Sequence, residues 1–421
     1  MAIKKKLIEN FTSLSVLQAS KYVLPMITFP YLVRVIGPEK FGLISFAQAF
    51  VMYFMILTDY GFNLSATRRV AIHREDRQKL SEIFSAVLVI ELGLILLSLV
   101  LLMSVVFGFE RFRQDWLLYL WTFGIVPGNV FSLIWFFQGM EKMKFITALN
   151  LFSKTIFLVS IFIWVRQPSD YLNAAILYTL GYFASGAIGL WLAVKRFKVG
   201  VIWPGWTAIN TELVEGYHVF IASISASIYT SSSVFILGLM SSNTIVGYYS
   251  AGEKIVKAVQ ALFNPVSQSI FPHLSQLAQK SKSEALAFAR KATLMSGWFL
   301  FLVSCLIFFF APQIVAVALG GKYLSAVPVI RILSALPFIA NMGNIFGTQI
   351  LINFDYARVA SRVAIVSSLL NIPLVIGLVY LYQANGAAGA MIITEVFVAV
   401  AYLYLIERKG LSLRRPERLS G

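Results

Sequence analysis

The sequence predicts an all-α integral membrane protein with twelve transmembrane helices in two pseudo-symmetric six-helix bundles around a central cavity. Of its 421 residues, 58% are hydrophobic and only 13% are charged, whereas soluble domains carry about 25% charged residues. The mean hydropathy is +0.78. Apolar segments of about 20 residues, the length that a spanning helix requires, recur along the whole chain.

Twelve such segments follow one another with short connections. None shows the alternation of apolar and polar residues that is typical of a barrel strand. We therefore expect helices centred in residues 12–36, 41–65, 81–107, 116–138, 145–165, 171–194, 217–239, 247–272, 292–318, 324–350, 360–382 and 386–406. The segments 12–36 and 247–272 are the weakest because they contain charged residues.

The basic residues indicate the orientation of the chain. With an inside amino terminus, 24 of the 35 Lys and Arg residues fall in inside segments, five in outside loops and six within spans. This asymmetry is the positive-inside signal. It explains most of the formal net charge of +16, so the basic excess does not indicate nucleic-acid binding.

An internal repeat suggests two halves. The stretches "FGLISFA" (41–47) and "VGYYSAG" (246–252) both open the second helix of a half, although chance similarity between Gly- and Ser-rich helix starts is an alternative. Two six-helix halves with the same orientation are typical of transporters that bind substrate between them. The predicted domains are an N-terminal bundle (1–198), a cytoplasmic connecting loop (199–215), a C-terminal bundle (216–408) and a basic cytoplasmic tail (409–421).

Ten ionisable residues lie within the predicted spans, where charge is costly and usually faces a bundle interior or water. The cations are Lys21, Arg34, Lys154, Lys254, Lys257 and Arg331, and the acids are Asp59, Glu91, Glu253 and Glu395. We expect the six cations to bind an anionic substrate, with phosphate groups the best match to Arg and Lys. The four acids are candidates for counter-ions or for proton coupling.

Each of these assignments has an alternative. Arg34 lies near a helix end, where its side chain could extend to the interface. Lys21 and Asp59 fall at similar depth and could neutralise each other. Lys254 and Lys257 are one turn apart and share a face, which favours a cavity role, and Glu253 lies beside that face.

Five prolines in spans predict helix kinks, since each removes a backbone hydrogen bond. They are Pro25, Pro30, Pro127, Pro265 and Pro337. Kinks of this kind serve either gating or ordinary packing, and the sequence leaves both open.

Motifs for cofactors and metals are missing from the sequence. The stretch "LGGKYLS" (319–325) fails as a phosphate loop, because Tyr323 follows Lys322 and Ala316 stands where the first Gly is required. We find no dinucleotide fingerprint and no metal-binding spacing. We therefore expect no cofactor, no metal and no ATP hydrolysis.

Several stretches, in order along the chain, resemble the polysaccharide transporter family. This is the O-antigen repeat-unit (Wzx-type) flippase branch of the multidrug/oligosaccharidyl-lipid/polysaccharide exporter superfamily. The first-helix stretch "LPMITFPYLVRVIGPEKFG" (24–42) carries most of the resemblance. It is followed by "DYGFNLSATRRVA" (59–71), "WFFQGMEKMK" (135–144), "GYYSAGEKI" (247–255) and "LGGKYLSAVPVIRILSALPF" (319–338).

The resemblance implies a flippase of the bacterial inner membrane, with both termini cytoplasmic. Such a protein would move an undecaprenyl-pyrophosphate-linked oligosaccharide, the O-antigen repeat unit, to the periplasmic leaflet by alternating access. Its partners would be this lipid-linked oligosaccharide, the phospholipid bilayer and other glycan-assembly membrane proteins, and we expect a monomer. The first helix lacks the acid that the multidrug branch often carries, which argues against cation-coupled drug export.

Three other functions stay open. The first is flipping of another polyprenyl-linked glycan, such as a peptidoglycan precursor or a capsule unit. A drug/ion antiporter ranks below it. A membrane polysaccharide polymerase or ligase ranks last, because the longest predicted outer loop has about ten residues, the length of a simple connection. We therefore expect a transporter and not an enzyme.

Overall fold

The structure is a computed structural model that describes the backbone of residues 2–411 and 413. The side chains of residues 2–23, 222, 225–231 and 269 lie outside the described part. Within the described residues every regular element is helical. The chain forms two compact units, Met1–Ser227 and Ile228–Gly421. The division falls inside a helix that begins in the predicted connecting loop (199–215), and the predicted domain limits stay a prediction.

In the described part of the first unit, nine α-helices precede the one that crosses the division. They are α1 (Ala2–Asp59), α2 (Ser65–His73), α3 (Arg77–Gly108), α4 (Glu110–Arg113), α5 (Trp116–Phe123), α6 (Ile125–Phe131), α7 (Ile134–Gly139), α8 (Met143–Trp164) and α9 (Tyr171–Trp191). A 3₁₀ turn (Pro168–Asp170) precedes α9 and a π-helical turn (Leu192–Arg196) follows it. Helix α10 (Trp206–Met240) contains the division.

The second unit continues with six helices. They are α11 (Asn243–Ala261), α12 (Asn264–Lys280), α13 (Lys282–Ile314), α14 (Val327–Leu333), α15 (Leu336–Asn344) and α16 (Ala357–Arg408). Two π-helical stretches, Val315–Leu319 and Ile345–Ile352, follow α13 and α15, and a 3₁₀ helix (Gly321–Ala326) precedes α14.

Helix α1 is interrupted at Gly37, whose backbone is non-helical at φ 76° and ψ 172°. The rings of Phe29 and Phe41 on either side are 5.7 Å apart. Twelve residues along a straight helix would separate them by about 18 Å. The chain therefore bends back at Gly37, between the predicted spans 12–36 and 41–65.

Helix α16 reverses in the same way at Gln383, at φ 50° and ψ −123°. The Asn371 amide donates to the Thr394 hydroxyl at 2.9 Å, and the Tyr402 hydroxyl donates to the Ala360 carbonyl at 3.2 Å. Contacts that join residues further and further from the break on both sides define an antiparallel hairpin. A straight helix of this length would extend about 78 Å, more than twice the thickness of the hydrocarbon core.

Eight segments among the described residues are long and apolar enough to cross a membrane. Two of them, Leu24–Asp59 and Ala357–Arg408, contain the breaks at Gly37 and Gln383, so each can supply two crossings. Neither α10 nor the pair α11 and α12 is among the eight. The all-helical membrane fold is confirmed, and the twelve-helix, two-bundle arrangement with its central cavity stays a prediction.

Glycines bring the helices of the first unit close together. A Cβ on Gly186 of α9 would lie 2.8 Å from the Gly128 carbonyl oxygen of α6, and one on Gly189 would lie 2.8 Å from the Phe131 carbonyl. The Ser185 hydroxyl donates to the Leu149 carbonyl of α8 at 3.3 Å. Small residues let helix backbones approach when no hydrophobic force drives helices together in lipid.

Candidate functional site

Helix α11 combines a buried face with a charged one. Tyr249, Gly252 and Val256 are buried, and a Cβ on Gly252 would lie 3.0 Å from the Ile330 side chain of α14. Lys254 is exposed on the other side of the helix. A helix inside a membrane protein that keeps one charged face is expected to turn that face to water or to a bundle interior.

Glu253 on α11 forms an ion pair with Lys257, one of the two lysines of this helix. Lys257 Nζ lies 2.7 Å from Glu253 Oε1, and the Tyr249 hydroxyl donates to the same oxygen at 3.5 Å. Glu253 is 7% exposed. The sequence places Glu253 beside the lysine face, and the structure shows that Lys257 reaches it, because residues four apart are neighbours on a helix. Lys254 and Lys257 therefore differ in their surroundings.

The other predicted residues of the second unit lie on different helices. The exposed Arg331 guanidinium on α14 lies 5.6 Å from the ring centroid of Phe308. Glu395 is half-buried on the second half of α16, near Tyr402.

In the first unit, the two acids lie close together. Glu91 on α3 is 2% exposed beside Asp59 and Trp135, and among the described residues its Oε2 has no hydrogen-bond partner. Asp59 ends α1 and accepts a hydrogen bond from the Asn63 amide. The carboxylate thus helps to shape the turn that leads into α2.

The remaining predicted cations of this unit lie on two helices, α1 and α8. Arg34 is exposed and Lys154 is half-buried on α8. The Lys21 side chain lies outside the described residues, so its proposed pairing with Asp59 is not described. The substrate-binding role of these cations stays a prediction.

Three of the five prolines coincide with interruptions of helices. Pro127 follows the α5–α6 junction at Gly124, Pro265 is the second residue of α12, and Pro337 is the second residue of α15. A proline in the first turn of a helix loses no hydrogen bond that the helix would otherwise make. Pro25 and Pro30 lie within α1, where the non-helical residue is Gly37.

An ion pair outside the predicted spans was not predicted from the sequence. Arg69 Nη1 on α2 lies 2.9 Å from Glu212 Oε1 near the start of α10, and 3.9 Å from Glu215 Oε1. Burial raises the pKa of Glu212 to about 7, although Arg69 acts to lower it. Arg69 and Glu212 are far apart in sequence, so no periodic signal could have paired them.

A second missed feature is a polar group in the second unit. The Gln349 amide donates to the Ser267 carbonyl and hydroxyl at 2.9 and 3.0 Å, and the Ser267 hydroxyl donates to Asn344 Oδ1 at 2.5 Å. Ser267 and Gln349 also border a small cavity, whose volume of about 20 Å³ is enough for one water. Amides inside predicted spans are the sequence signal that could have indicated this group.

Clusters of three or more His, Cys, Asp or Glu side chains suited to a metal ion are not found among the described residues. The chemistry that these groups offer is charge and hydrogen bonding. Exposed ammonium and guanidinium groups can bind phosphate oxygens, and carboxylates set their orientation. This arrangement is suited to binding and release of an anion.

Comparisons with known proteins also indicate a polysaccharide transporter. A family model described as polysaccharide biosynthesis protein matches residues 7–278. A putative O-antigen transporter of Escherichia coli (strain K12) is 32% identical over 415 residues, covering 97% of this chain and 98% of that protein.

Two solved structures share the fold. A multidrug resistance MATE family transporter of the MOP superfamily, in an inward-facing conformation, matches with a TM-score of 0.74 at 14% identity, over 98% of this chain and 100% of that one. The lipid II flippase MurJ, in an inward closed conformation, matches with a TM-score of 0.71 at 13% identity, over 95% of this chain and 87% of that one. At such identities the likeness shows the fold alone.

Proposed function

The chain belongs to the polysaccharide biosynthesis protein family, as a Wzx-type polysaccharide transporter of the MOP superfamily, and from this premise we propose its substrate and mechanism. It is a multi-pass bacterial membrane protein that flips a lipid-linked glycan. We infer that the glycan is an O-antigen repeat unit on undecaprenyl pyrophosphate, moved from the cytoplasmic to the periplasmic leaflet of the inner membrane. The name of the Escherichia coli relative supports the O-antigen assignment.

The observation that carries the proposal is the charged face of α11. Lys254 is exposed and Lys257 is held by Glu253 at 2.7 Å. A pyrophosphate offers several anionic oxygens, and ammonium groups bind such oxygens as compact charges. A pocket for a drug cation would instead be expected to present acids.

Both lysines contribute positive charge to this face. Glu253 offsets part of the charge at Lys257 and fixes its side chain, and its carboxylate also attracts Lys254. We expect the two ammonium groups together to bind the pyrophosphate with moderate strength. A site of moderate strength suits transport, because the substrate has to leave as well as enter.

Alternating access of the two units would carry the sugar across, with the prenyl tail remaining in lipid. Both termini would be cytoplasmic, as the distribution of basic residues indicates. The energy source is an ion gradient or the flux of substrate. Glu91 and Asp59 are the candidates for a proton site, since they lie together in the first unit.

The test combines a glycan-display assay with membrane levels. Replacing both lysines, Lys254→Ala with Lys257→Ala, should abolish surface glycan while the protein stays in the membrane at the normal level. Lys254→Arg should retain display, because the charge is kept. The matched control is Lys280→Ala with Lys282→Ala, which removes two exposed cations outside the predicted spans.

Normal glycan display in the α11 double variant would refute the site. Flipping by the purified protein in vesicles separates the substrates: a defined undecaprenyl-pyrophosphate-linked oligosaccharide should be moved, with and without a pH gradient to report coupling. Transport of a peptidoglycan precursor in preference to the O-antigen unit would favour the alternative glycan.

A further inference from the structure

The segment between α9 and α10 is attached to α3 through its backbone. The Gly200 N–H donates to Ser81 Oγ at 2.9 Å and the Ile202 N–H donates to Ser85 Oγ at 3.0 Å. The Ser85 hydroxyl in turn donates to the Gly200 carbonyl at 3.4 Å. Backbone groups of an irregular segment need such partners near a membrane. These hydrogen bonds fix the segment against the first unit.

Because the backbone is turned to α3, the large side chains point outward. Trp203 is 88% exposed and Trp206 is 75% exposed, and Val201 and Ile202 are exposed between them and α9. Trp203 precedes the buried Pro204, which favours an extended backbone at Trp203. Two indole rings held this way, beyond the end of an apolar helix, have the position of an aromatic belt at a membrane boundary.

Basic residues precede the two tryptophans in the sequence. Lys195, Arg196 and Lys198 are exposed. The Arg196 guanidinium lies 5.2 Å from the Phe145 ring centroid, and Lys144 Nζ lies 5.9 Å from the same centroid. Cations from two different elements thus converge on one ring. The sequence from 195 to 206 contains no acidic residue.

Two acids in neighbouring segments have basic partners. Glu82 Oε2 on α3 lies 2.7 Å from Lys79 Nζ, and Glu141 Oε1 lies 2.9 Å from Arg74 Nη1. Residues 195–206 themselves carry three basic side chains and no acid. Apolar indoles beside basic groups match a lipid that carries acyl chains and an anionic phosphate.

We propose that Lys195, Arg196, Lys198, Trp203 and Trp206 form a binding site for an anionic phospholipid at the predicted cytoplasmic boundary of the first unit. We name these five residues the Trp203 edge. The basic groups bind the phosphodiester oxygens, and the indoles lie among the glycerol esters and the upper acyl chains. This site shares no residue with α11 and does not depend on the proposed substrate.

The test uses tryptophan fluorescence of the full-length protein in nanodiscs of zwitterionic phosphatidylcholine. A minor fraction of the lipid is replaced by brominated phosphatidylglycerol or, in a parallel sample, by brominated phosphatidylcholine. Bromine quenches only indoles that it contacts. We expect stronger quenching by the anionic lipid in the wild-type protein, and loss of most of that excess in Trp203→Phe with Trp206→Phe.

Charge variants identify the groups that bind phosphate. Lys195→Gln with Arg196→Gln and Lys198→Gln should remove at least half of the excess quenching. The matched control is Lys280→Gln with Lys282→Gln and Lys291→Gln, which removes three exposed cations of the second unit and should leave the excess unchanged. Gel filtration and membrane levels report folding of each variant.

Three results would overturn the proposal. One is equal quenching by the two brominated lipids in the wild-type protein, which requires no variant to fold. Another is an equal loss of excess quenching in the triple Gln variant of the Trp203 edge and in the triple Gln control variant. The third is displacement of the brominated anionic lipid by a polyprenyl pyrophosphate, since this would assign the edge to the transported substrate.

Discussion

The Arg69 guanidinium on α2 lies 2.9 Å from Glu212 Oε1 at the start of α10. Glu212 is 1% exposed, and among the described residues its second oxygen, Oε2, has no hydrogen-bond partner. A buried ion pair of this kind is costly to break from one side, because the remaining charge loses its partner without regaining water.

Single substitutions of Arg69 and of Glu212 should therefore lower the stability by different amounts. Arg69→Met leaves a buried carboxylate and should cost about 3 kcal/mol of stability at pH 8. Glu212→Gln should cost less, because Arg69 stays near Glu215 at 3.9 Å. Thermal unfolding of the purified variants in detergent is the measurement, and a larger loss for Glu212→Gln would contradict the assignment.

The same carboxyl should make stability depend on pH. Burial raises the pKa of Glu212 from 4.5 to about 7, with Glu215 and Glu82 acting in the same direction and Arg69 and Lys79 against it. The folded protein then holds a proton that the unfolded chain releases. Its contribution is complete below pH 4.5 and is lost as the pH rises to about 7, about 3 kcal/mol in total.

Glu212→Gln provides the reference for this effect, since it keeps the shape without the proton. Melting temperatures are compared from pH 5 to pH 8. As the pH rises, the melting temperature of the wild-type protein should fall relative to that of the variant. Parallel curves would show that Glu212 does not take up the proton on folding.

Gly61 should tolerate no side chain. It has a φ of +80°, and a Cβ there would lie 2.7 Å from the Val219 Cβ of α10. Gly61→Ala combines backbone strain with overpacking and should cost about 3 kcal/mol in thermal unfolding. Gly93→Ala is the matched control: it has open space and should be neutral or stabilising by up to about 1 kcal/mol. Similar effects of the two substitutions would contradict the close approach of α10.

The break in α16 should be more stable with glycine. Gln383 has a φ of 50° and a ψ of −123°, the combination that glycine adopts at the first central position of a type II′ turn. Gln383→Gly should raise the free energy of unfolding by about 1 kcal/mol, and the melting temperature should rise. Gln383→Ala keeps the Cβ and should give no gain, so a rise in both variants would point to the side chain instead.

Cysteine labelling can test the orientation of the chain. Cys305, the single cysteine, is first replaced by Ala. New cysteines at Glu39, whose side chain is 64% exposed, and at Glu75 lie on opposite predicted sides. In intact cells a membrane-impermeant maleimide should label position 39 and spare position 75, and the reverse pattern would overturn the predicted topology.

Much of the helical framework could be predicted from local sequence. The breaks at Gly37 and Gln383 fall at the predicted span boundaries, because the apolar runs end there and turn-forming residues follow. The partner of an intramembrane charge could also be predicted where both residues lie on the same helix. Glu253 and Lys257 are four residues apart, which is the spacing of a helical ion pair.

Contacts between distant segments could not be predicted in this way. Arg69 and Glu212 lie in stretches that the sequence predicts to be ordinary basic and polar connections, and only the fold, which places them on α2 and α10, brings them within 2.9 Å. The same holds for Ser81 and Gly200, since a serine in an apolar helix is usually bonded to its own backbone. Periodicity describes which face of a helix is apolar, and it carries no information on which helix lies opposite.

The attachment of the segment around Gly200 has a consequence for synthesis of the chain. The hydrogen bonds from Gly200 to Ser81, the contact of Gly61 with Val219 and the Arg69–Glu212 pair all join residues that precede position 228. Domains form from the amino terminus while the ribosome adds about 5–20 residues per second. The first unit can therefore complete this side of its structure during synthesis, while most of the second unit has still to be made.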